Sequence, residues 1–457
     1  MLQEHSIVHT VLRRYVQLSM VAAVVSALLL VGHTAWADDQ QGSGERQHRG
    51  HKVQSEPAVR LLKTVSIPGT DANTTNGKLY SFDISFVDDQ TQIYYLADRS
   101  NVAVDVVNAK TAAFIGQISV SPPFAGVVTC PPGFSNCSGP NGVVAAYPWL
   151  FVTDGGSRVV NIDLRTCDLT APCTPVGDVT TADNDPNRAD ELAYAPELGV
   201  LLVINNADTP PFGTFINVNT MTGALTRGKK ISFPDAIGGA EQPVWNPADG
   251  QFYLSIPSIA GPPATGAVYR IDPNTATFEI AATIDQCGPA GLTLGPNQEL
   301  LVGCNTVYGV DGKVWDFTQD ITANPREVII DAQTGIIVET VFGVGAGDEV
   351  WFNGGDGHYY VTGSGSPLRP LPATVAQGAS VLGVIDAFSH SLDQLVPTFN
   401  VPAVTTGSNQ HPAGTAHSVA ANASNNLVFV ALGANNVFPD CLTGCIAVYG
   451  RSDNDLD

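Results

Sequence analysis

Positive charge is scarce in this chain. Only 14% of its 457 residues are charged, with 21 Lys and Arg against 43 Asp and Glu, for a net charge of −22. That balance disfavours nucleic acid and anionic membrane surfaces as partners, because both are held through basic groups. Beyond residue 37 no apolar run approaches the roughly 20 residues a membrane-spanning helix needs. Familiar catalytic words are missing as well: there is no GxSxG elbow, no HExxH and no CxxCH haem attachment site. The stretch from Gly223 to Lys229 has most of a phosphate-loop spacing, but Lys230 stands where Ser or Thr is required and no helix follows. None of the eight cysteines has CxxC spacing, which ranks zinc below disulfides.

Short apolar runs bounded by Gly, Pro, Asn and Asp are plentiful, and they read as an all-β chain. One word recurs: strand, four-residue polar turn, strand. Its clearest copy is VYRIDPNTATFEI (268–280), where Pro273 presets φ and Asp272 and Thr275 can satisfy the turn backbone. The Asp or Asn that opens the turn falls at Asn108, Asp163, Asn219, Asp272, Asp331 and Asp386, in steps of 55, 56, 53, 59 and 55. A period of this size carried by β-hairpins fits four-stranded propeller blades. Beside the six turn words stand seven inner hairpins, from DISFV/IYYLAD to HSVAA/LVFVAL. The chain stops after CIAVYG (445–450), where a seventh turn word is due, and RLLKTVSIPG (60–69) is available to supply the missing strand. The expected fold is therefore a seven-bladed β-propeller over residues 58–451, closed by an N-terminal outer strand, with a short tail at 452–457. Closure removes open sheet edges.

Residues 1–37 read as a signal peptide: Arg13 and Arg14, an apolar run from Met20 to Gly32, then Ala35-Trp36-Ala37, with cleavage expected before Asp38. An uncleaved anchor is the rival reading. Residues 38–57 are polar and expected to be a disordered leader. Export, periplasmic or extracellular, makes an even cysteine count a disulfide signal. The close couples Cys130/Cys137, Cys167/Cys173, Cys287/Cys304 and Cys441/Cys445 are the expected pairs, Cys287 and Cys304 lying at matching ends of one hairpin. A monomer without a transmembrane domain after cleavage is expected.

Strand ends such as YYLADRSNVAVDVVNAKT (94–111) and LFVTDGGSRVVNIDLRT (150–166) resemble the YVTN/YncE-like family of exported bacterial propellers. The chain is also broadly similar to lactonase and SMP-30/gluconolactonase-like propellers. The resemblance implies a seven-bladed fold and carries little about function, because propellers host many chemistries. Three inserts break the period, at 121–141, 305–324 and 364–379, and long loops on a regular scaffold are places for binding or simply for tolerated insertions.

Propeller sites gather where inner strands begin. Aligning those strands on their turns gives two adjacent columns. The first reads Phe82, Asp190, Glu241, Ala290, Asp348 and His417; the second reads Asp83, Glu191, Gln242, Gly291, Glu349 and Ser418. Converging carboxylates must bind a cation, share protons or stay wet. The expected ligand-binding set is thus Asp190, Glu191, Glu241, Gln242, Asp348, Glu349 and His417. Asp190, Glu241 and Asp348 are the metal candidates, with calcium or another divalent cation as the ion for an all-oxygen set. Strand alternation sends one column to the channel, and the first is the chemically richer choice. His417 is the catalytic candidate, as metal ligand or general base; a channel histidine bonded to a carboxylate is its bland alternative. His358, His390 and His411 are expected in solvent. Asp183-Asn184-Asp185-Pro186-Asn187 starts like a calcium loop but departs from the EF-hand at Arg188 and Tyr194. Its alternative is a set of Asx turns.

Two readings follow. One is an exported propeller that binds a small molecule or protein at its channel mouth. The other is a metal-dependent hydrolase of lactonase type, in which the ion polarises a carbonyl and activates water.

Overall fold

A computed structural model describes residues 58–261, 264–314, 325–345, 347–363, 381–398, 404–407, 410–411, 416 and 418–451. The signal peptide, the leader, His417, the tail and the 364–379 insert lie outside the described residues, as do residues 315–324 of the insert before them. No described helix is long and apolar enough to cross a membrane.

Among the described residues the strands form five four-stranded antiparallel sheets and one eight-stranded sheet; the latter divides into two four-stranded antiparallel halves, Pro243–Asp285 and Cys287–Phe342, and these four-stranded sets are numbered below as units in chain order. Their inner strands are Ser85–Asp88, Val143–Ala146, Leu192–Ala195, Pro243–Asn246, Cys287–Leu294, Gly347–Asn353 and Val419–Asn422. The fourth and fifth units are joined into one sheet by a single parallel bridge, Thr265 to Cys287. In the seventh, the outer strand comes from the other end of the chain. Arg60–Ser66 pairs antiparallel with Cys445–Gly450, from Arg60 opposite Gly450 to Ser66 opposite Cys445.

Local chemistry explains the repeating hairpins. In the outer turn the Asp or Asn side chain accepts backbone N–H groups two and three residues on. Asn108 takes Lys110 and Thr111, Asn219 takes Met221 and Thr222, and Asp386 takes Phe388 and Ser389. Four residues after the opener the chain turns left-handed, at Ala112, Gly223, Ala276, Gly335 and His390. Gly335 is fixed for a second reason: a Cβ there would run into the Ala281 carbonyl. A parallel device closes the inner hairpins, where Asp88, Asn246, Asn353 and Asn422 each accept the N–H two residues on. The sequence carries this second Asx word too, at Asp88, Asn246, Asn353 and Asn422.

Packing runs between units. Second strands such as Trp149–Asp154 and Leu427–Leu432 are buried along their whole length, so they read as unbroken apolar runs. Outer strands such as Ile337–Phe342 are largely exposed. Seven apolar clusters each fill the gap between two successive units. One joins Leu96 and Val107 of the first unit to Phe429 and Ile446 of the seventh. Four disulfides tie the expected couples: Cys130–Cys137, Cys167–Cys173, Cys287–Cys304 and Cys441–Cys445.

Candidate functional site at the channel mouth

The residues just ahead of the inner strands are held by one repeated pattern. Asp83 N–H donates to Ala97 at 2.9 Å, Asn141 to Thr153 at 2.9 Å, Asp190 to Ile204 at 2.7 Å and Glu241 to Ser255 at 3.0 Å. The true counterparts of Asp190 are therefore Asp83 and Asn141, with Ile84 and Gly142 beside them. Alignment on the turns places the first unit one residue early, at Phe82. Phe82, assigned to the first column, is instead 1% exposed in the cluster between the first and seventh units.

Six carboxyl groups act on one another here: Asp83, Asp190, Glu191, Glu241, Asp348 and Glu349. The unexpected members are two arginines. Arg188 Nη2 lies 2.7 Å from Asp190 Oδ2 and its Nη1 lies 3.5 Å from Asp83 Oδ2. Arg99 also pairs with Asp83, and its Nε donates to Asn141 Oδ1 at 2.8 Å. Both guanidinium groups are largely buried. The 121–141 insert holds Arg188 in place: the Asn136 carbonyl accepts the Arg188 N–H at 2.7 Å, and the Asn136 amide oxygen accepts from Nε and Nη2 at 3.0 and 3.2 Å. Asn136 adjoins the Cys130–Cys137 disulfide, which gives that bond a place in the site. The chemistry of charge repulsion was legible; its compensation by protein cations was not. Arg99 and Arg188 sit beside Asp98 and in the Asp183–Asp190 loop, where a count of basic residues near the acidic columns would have flagged them.

Burial raises the Asp190 carboxyl to about 6 even though Arg188 works against the shift. Glu191, Glu241 and Glu349 are held well above the usual range, first by burial and then by their neighbours, Glu349 acting on Glu191, Asp190 on Glu241 and Asp348 on Glu349. Burial draws the Arg99 guanidinium down; at Arg188 burial is outweighed by Asp190, Asp83 and Glu241, and the net shift is upward. Asp190 Oδ1, Glu191 Oε2 and Ser418 Oγ are buried with no hydrogen-bond partner. Asp348 Oδ1 accepts from Asn305 at 2.8 Å.

Asp190, Glu241 and Asp348 do not form a compact ligand set. Among the described residues, the three-residue group of His, Cys, Asp or Glu with ligand atoms within 4.8 Å is His358, Asp386 and Asp393, in the sixth unit. Its atoms are already engaged. Asp386 caps its turn, and His358 Nε2 lies 3.3 Å from Asp393 and 3.1 Å from Arg451. His358 is 3% exposed, which corrects its expected place in solvent. His390 contacts Glu299 at 2.9 Å, and His411 stacks on Tyr80 with centroids 3.7 Å apart. The Asp183–Asn187 loop resolves into capping: Asp183 pairs with Arg227 at 2.7 Å, and Asp185 accepts the Asn187 N–H at 3.0 Å.

Inside the mouth, the inner strands of the first six units line a cavity of about 410 Å³. Ile84 and Gln242 of the second column belong to its wall. Alternation puts Phe86, Val144, Ala193, Val244, Thr293 and Trp351 on the same side. The other side of the same strands, with Ser85, Val143, Leu192, Pro243 and Val350, lines it too, and none of Asp190, Glu191, Glu241, Asp348 and Glu349 is among the lining residues. The far end is aromatic, with Tyr194, Trp245 and Phe352 half-buried, and Phe86 and Trp351 in edge-to-face contact at 5.4 Å.

No family model matches the chain, and no curated protein matches it. Solved structures do. The chain is similar to a chain of a crystal structure of the mitotic checkpoint complex, with TM-score 0.51 and 11% identity over 92% of this chain and 99% of that one. The WD40 β-propeller domain of Doa1 gives TM-score 0.50 and 10% identity over 87% and 99%. A chain of Kuenenia stuttgartiensis hydrazine synthase gives 0.54 and 12% over 85% and 99%. Together with the sheets, these likenesses define the class: a β-propeller. At such identities they carry the fold alone, and the resemblance to YVTN/YncE-like, lactonase or SMP-30-like families gains no support from them.

Proposed function

We propose that the protein is a seven-bladed propeller, closed by strand Arg60–Ser66, that binds a small organic ligand in its central channel. The observation that carries the reading is the channel cavity itself. It is concave, of about 410 Å³, apolar over most of its wall and aromatic at one end, with a few polar groups at the other. Those are the ordinary attributes of a small-molecule site. Four disulfides and the N-terminal sequence support export, and the net charge of −22 supports a ligand other than nucleic acid. Saturation-transfer NMR with a library of small aromatic fragments tests the reading. Hits that disappear in Trp351→Ala support it. A folded protein with no fragment protected by Trp351 contradicts it.

A second reading, with calcium at Asp190, Glu241 and Asp348, is favoured by one observation: six carboxyl groups face two arginines. Calcium should then raise the melting temperature, and chelator should reverse the shift in the parent but not in Glu241→Ala/Asp348→Ala. A lactonase-type reaction, with His417 moving protons, would require that ion and is tested by the same shift followed by a lactone panel.

A further inference from the structure

The channel wall is uncharged. Among the described residues that line the cavity, none carries a charge, and the carboxyl groups and arginines of the mouth are absent from the wall. Five lining side chains are aromatic: Phe86, Tyr194, Trp245, Trp351 and Phe352. The Trp245 indole N–H donates to Glu197 Oε2 at 3.1 Å, so the polar edge of that ring is engaged by a residue outside the wall.

Besides Tyr194, the polar lining residues are Ser85, Gln242 and Thr293. Ser85 stands opposite Leu96 in the strand register, on the side that packs toward the seventh unit. The other two are tied to neighbouring inner strands through their oxygens. Gln242 Oε1 accepts the Leu292 N–H at 2.6 Å, and Thr293 Oγ1 accepts the Phe352 N–H at 3.2 Å. The bond from Leu292 fixes which way the Gln242 amide is turned, so its Nε2 is the end left over, with two N–H groups to donate. Thr293 likewise keeps its hydroxyl hydrogen. These donors come from the fourth and fifth units and are flanked by Trp245 of the fourth and Trp351 and Phe352 of the sixth.

We infer that the channel binds an uncharged aromatic molecule bearing a hydrogen-bond acceptor, such as a ketone or amide carbonyl. Its ring lies among Phe86, Val244 and Trp351, and its acceptor meets Gln242 Nε2. A charged ligand of either sign would give up its water without an opposite charge on the wall. A ligand with no acceptor would leave the Gln242 N–H groups unpaired. A flat ring with one carbonyl suits both the aromatic wall and the donors. This rests on the channel reading above and narrows it to a chemical class.

The test uses four probes built on one indane body: 1-indanone, indane, 1-indanylammonium and indane-1-carboxylate. Each is titrated against the protein at pH 7 by ligand-observed NMR. The ketone is expected to bind about three- to tenfold tighter than indane, and at least about tenfold tighter than either ion. Gln242→Met should bring the ketone down to the affinity of indane, whereas Trp351→Ala should weaken both neutral probes. Equal affinity for 1-indanone and indane, a ketone advantage that survives Gln242→Met, or an ion that binds as tightly as the ketone overturns this inference. The channel reading then stands if Trp351→Ala still weakens binding. Should Gln242→Met fail to fold, the ranking of the four probes on the parent decides. Neutral-probe binding indifferent to Trp351→Ala overturns both readings. Binding of none of the four overturns this inference, and the fragment screen then decides the channel.

Discussion

The aspartates of the outer turns and the carboxyl groups of the channel mouth carry one functional group into opposite surroundings. Asp331 accepts the Thr334 hydroxyl and N–H at 2.8 Å each and is held below the usual range by those bonds. Asp163 is lowered chiefly by Arg165. Glu191 and Glu349, buried among other acids, go the other way. The first kind recurs with the repeat and serves the hairpin. The second occurs in some units and not others: Asp190 and Glu191 in the third correspond to Ala290 and Gly291 in the fifth. A repeat protein needs its turns in every unit, whereas a site needs its groups only where the ring brings them together. Departure from the repeat, rather than the repeat, marks the site.

The two kinds also contribute to stability with opposite sign. A carboxyl held above its unfolded value favours the folded state fully at low pH and loses that contribution as pH climbs from the unfolded value through the folded one. A carboxyl held below contributes above its unfolded value and loses this as pH falls through the folded one. The largest expected effect breaks the mouth. Arg188→Ala strands Asp190 in a buried site, while Asp83 keeps Arg99, and should cost about 3–5 kcal/mol at pH 7 in urea unfolding. The loss should shrink at pH 5, because Asp190, already raised to about 6, is then protonated. An equal loss at both pH values would contradict the ion-pair account. Next in size, Glu191→Gln/Glu349→Gln should be about 1–3 kcal/mol more stable than the parent at pH 9 and no different at pH 4. A pH-independent difference would mean that only packing had changed. The smallest effect belongs to the turns. Asp331→Ala should cost about 0.5–1 kcal/mol, constant from pH 6 to 9; a loss that varied over that range would erase the distinction between the two classes.

Much of the scaffold could be read from residues alone. The Asx turns at Asp272 and its counterparts, the inner hairpins and all four cysteine couples depend on contacts within a few residues of each other, and such contacts leave a periodic trace. The mouth depends on residues far apart in the chain, and its trace is thinner. The acidic columns were visible because they sit next to the strands. Arg99 and Arg188 were not, since each reaches back from a loop whose own sequence looks like a turn. The one-residue slip at Phe82 has the same origin: the turn fixes the strand's far end, while the near end is fixed by the Asp83–Ala97 backbone bond. The aromatic wall was hidden for another reason. Trp245 and Trp351 read equally well as core, and only the strand's facing decides between core and channel.

Glutamate side chains labelled with ¹³C at Cδ, followed by NMR from pH 3 to 10 and assigned with Glu191→Gln and Glu349→Gln, test the central claim most directly. The resonances of Glu191 and Glu349 should change at a pH well above the ordinary glutamate range, as their burial among other carboxyl groups requires. If both instead titrate in the ordinary glutamate range, the mouth is an ordinary wet acidic surface, and the contrast with the turn aspartates fails.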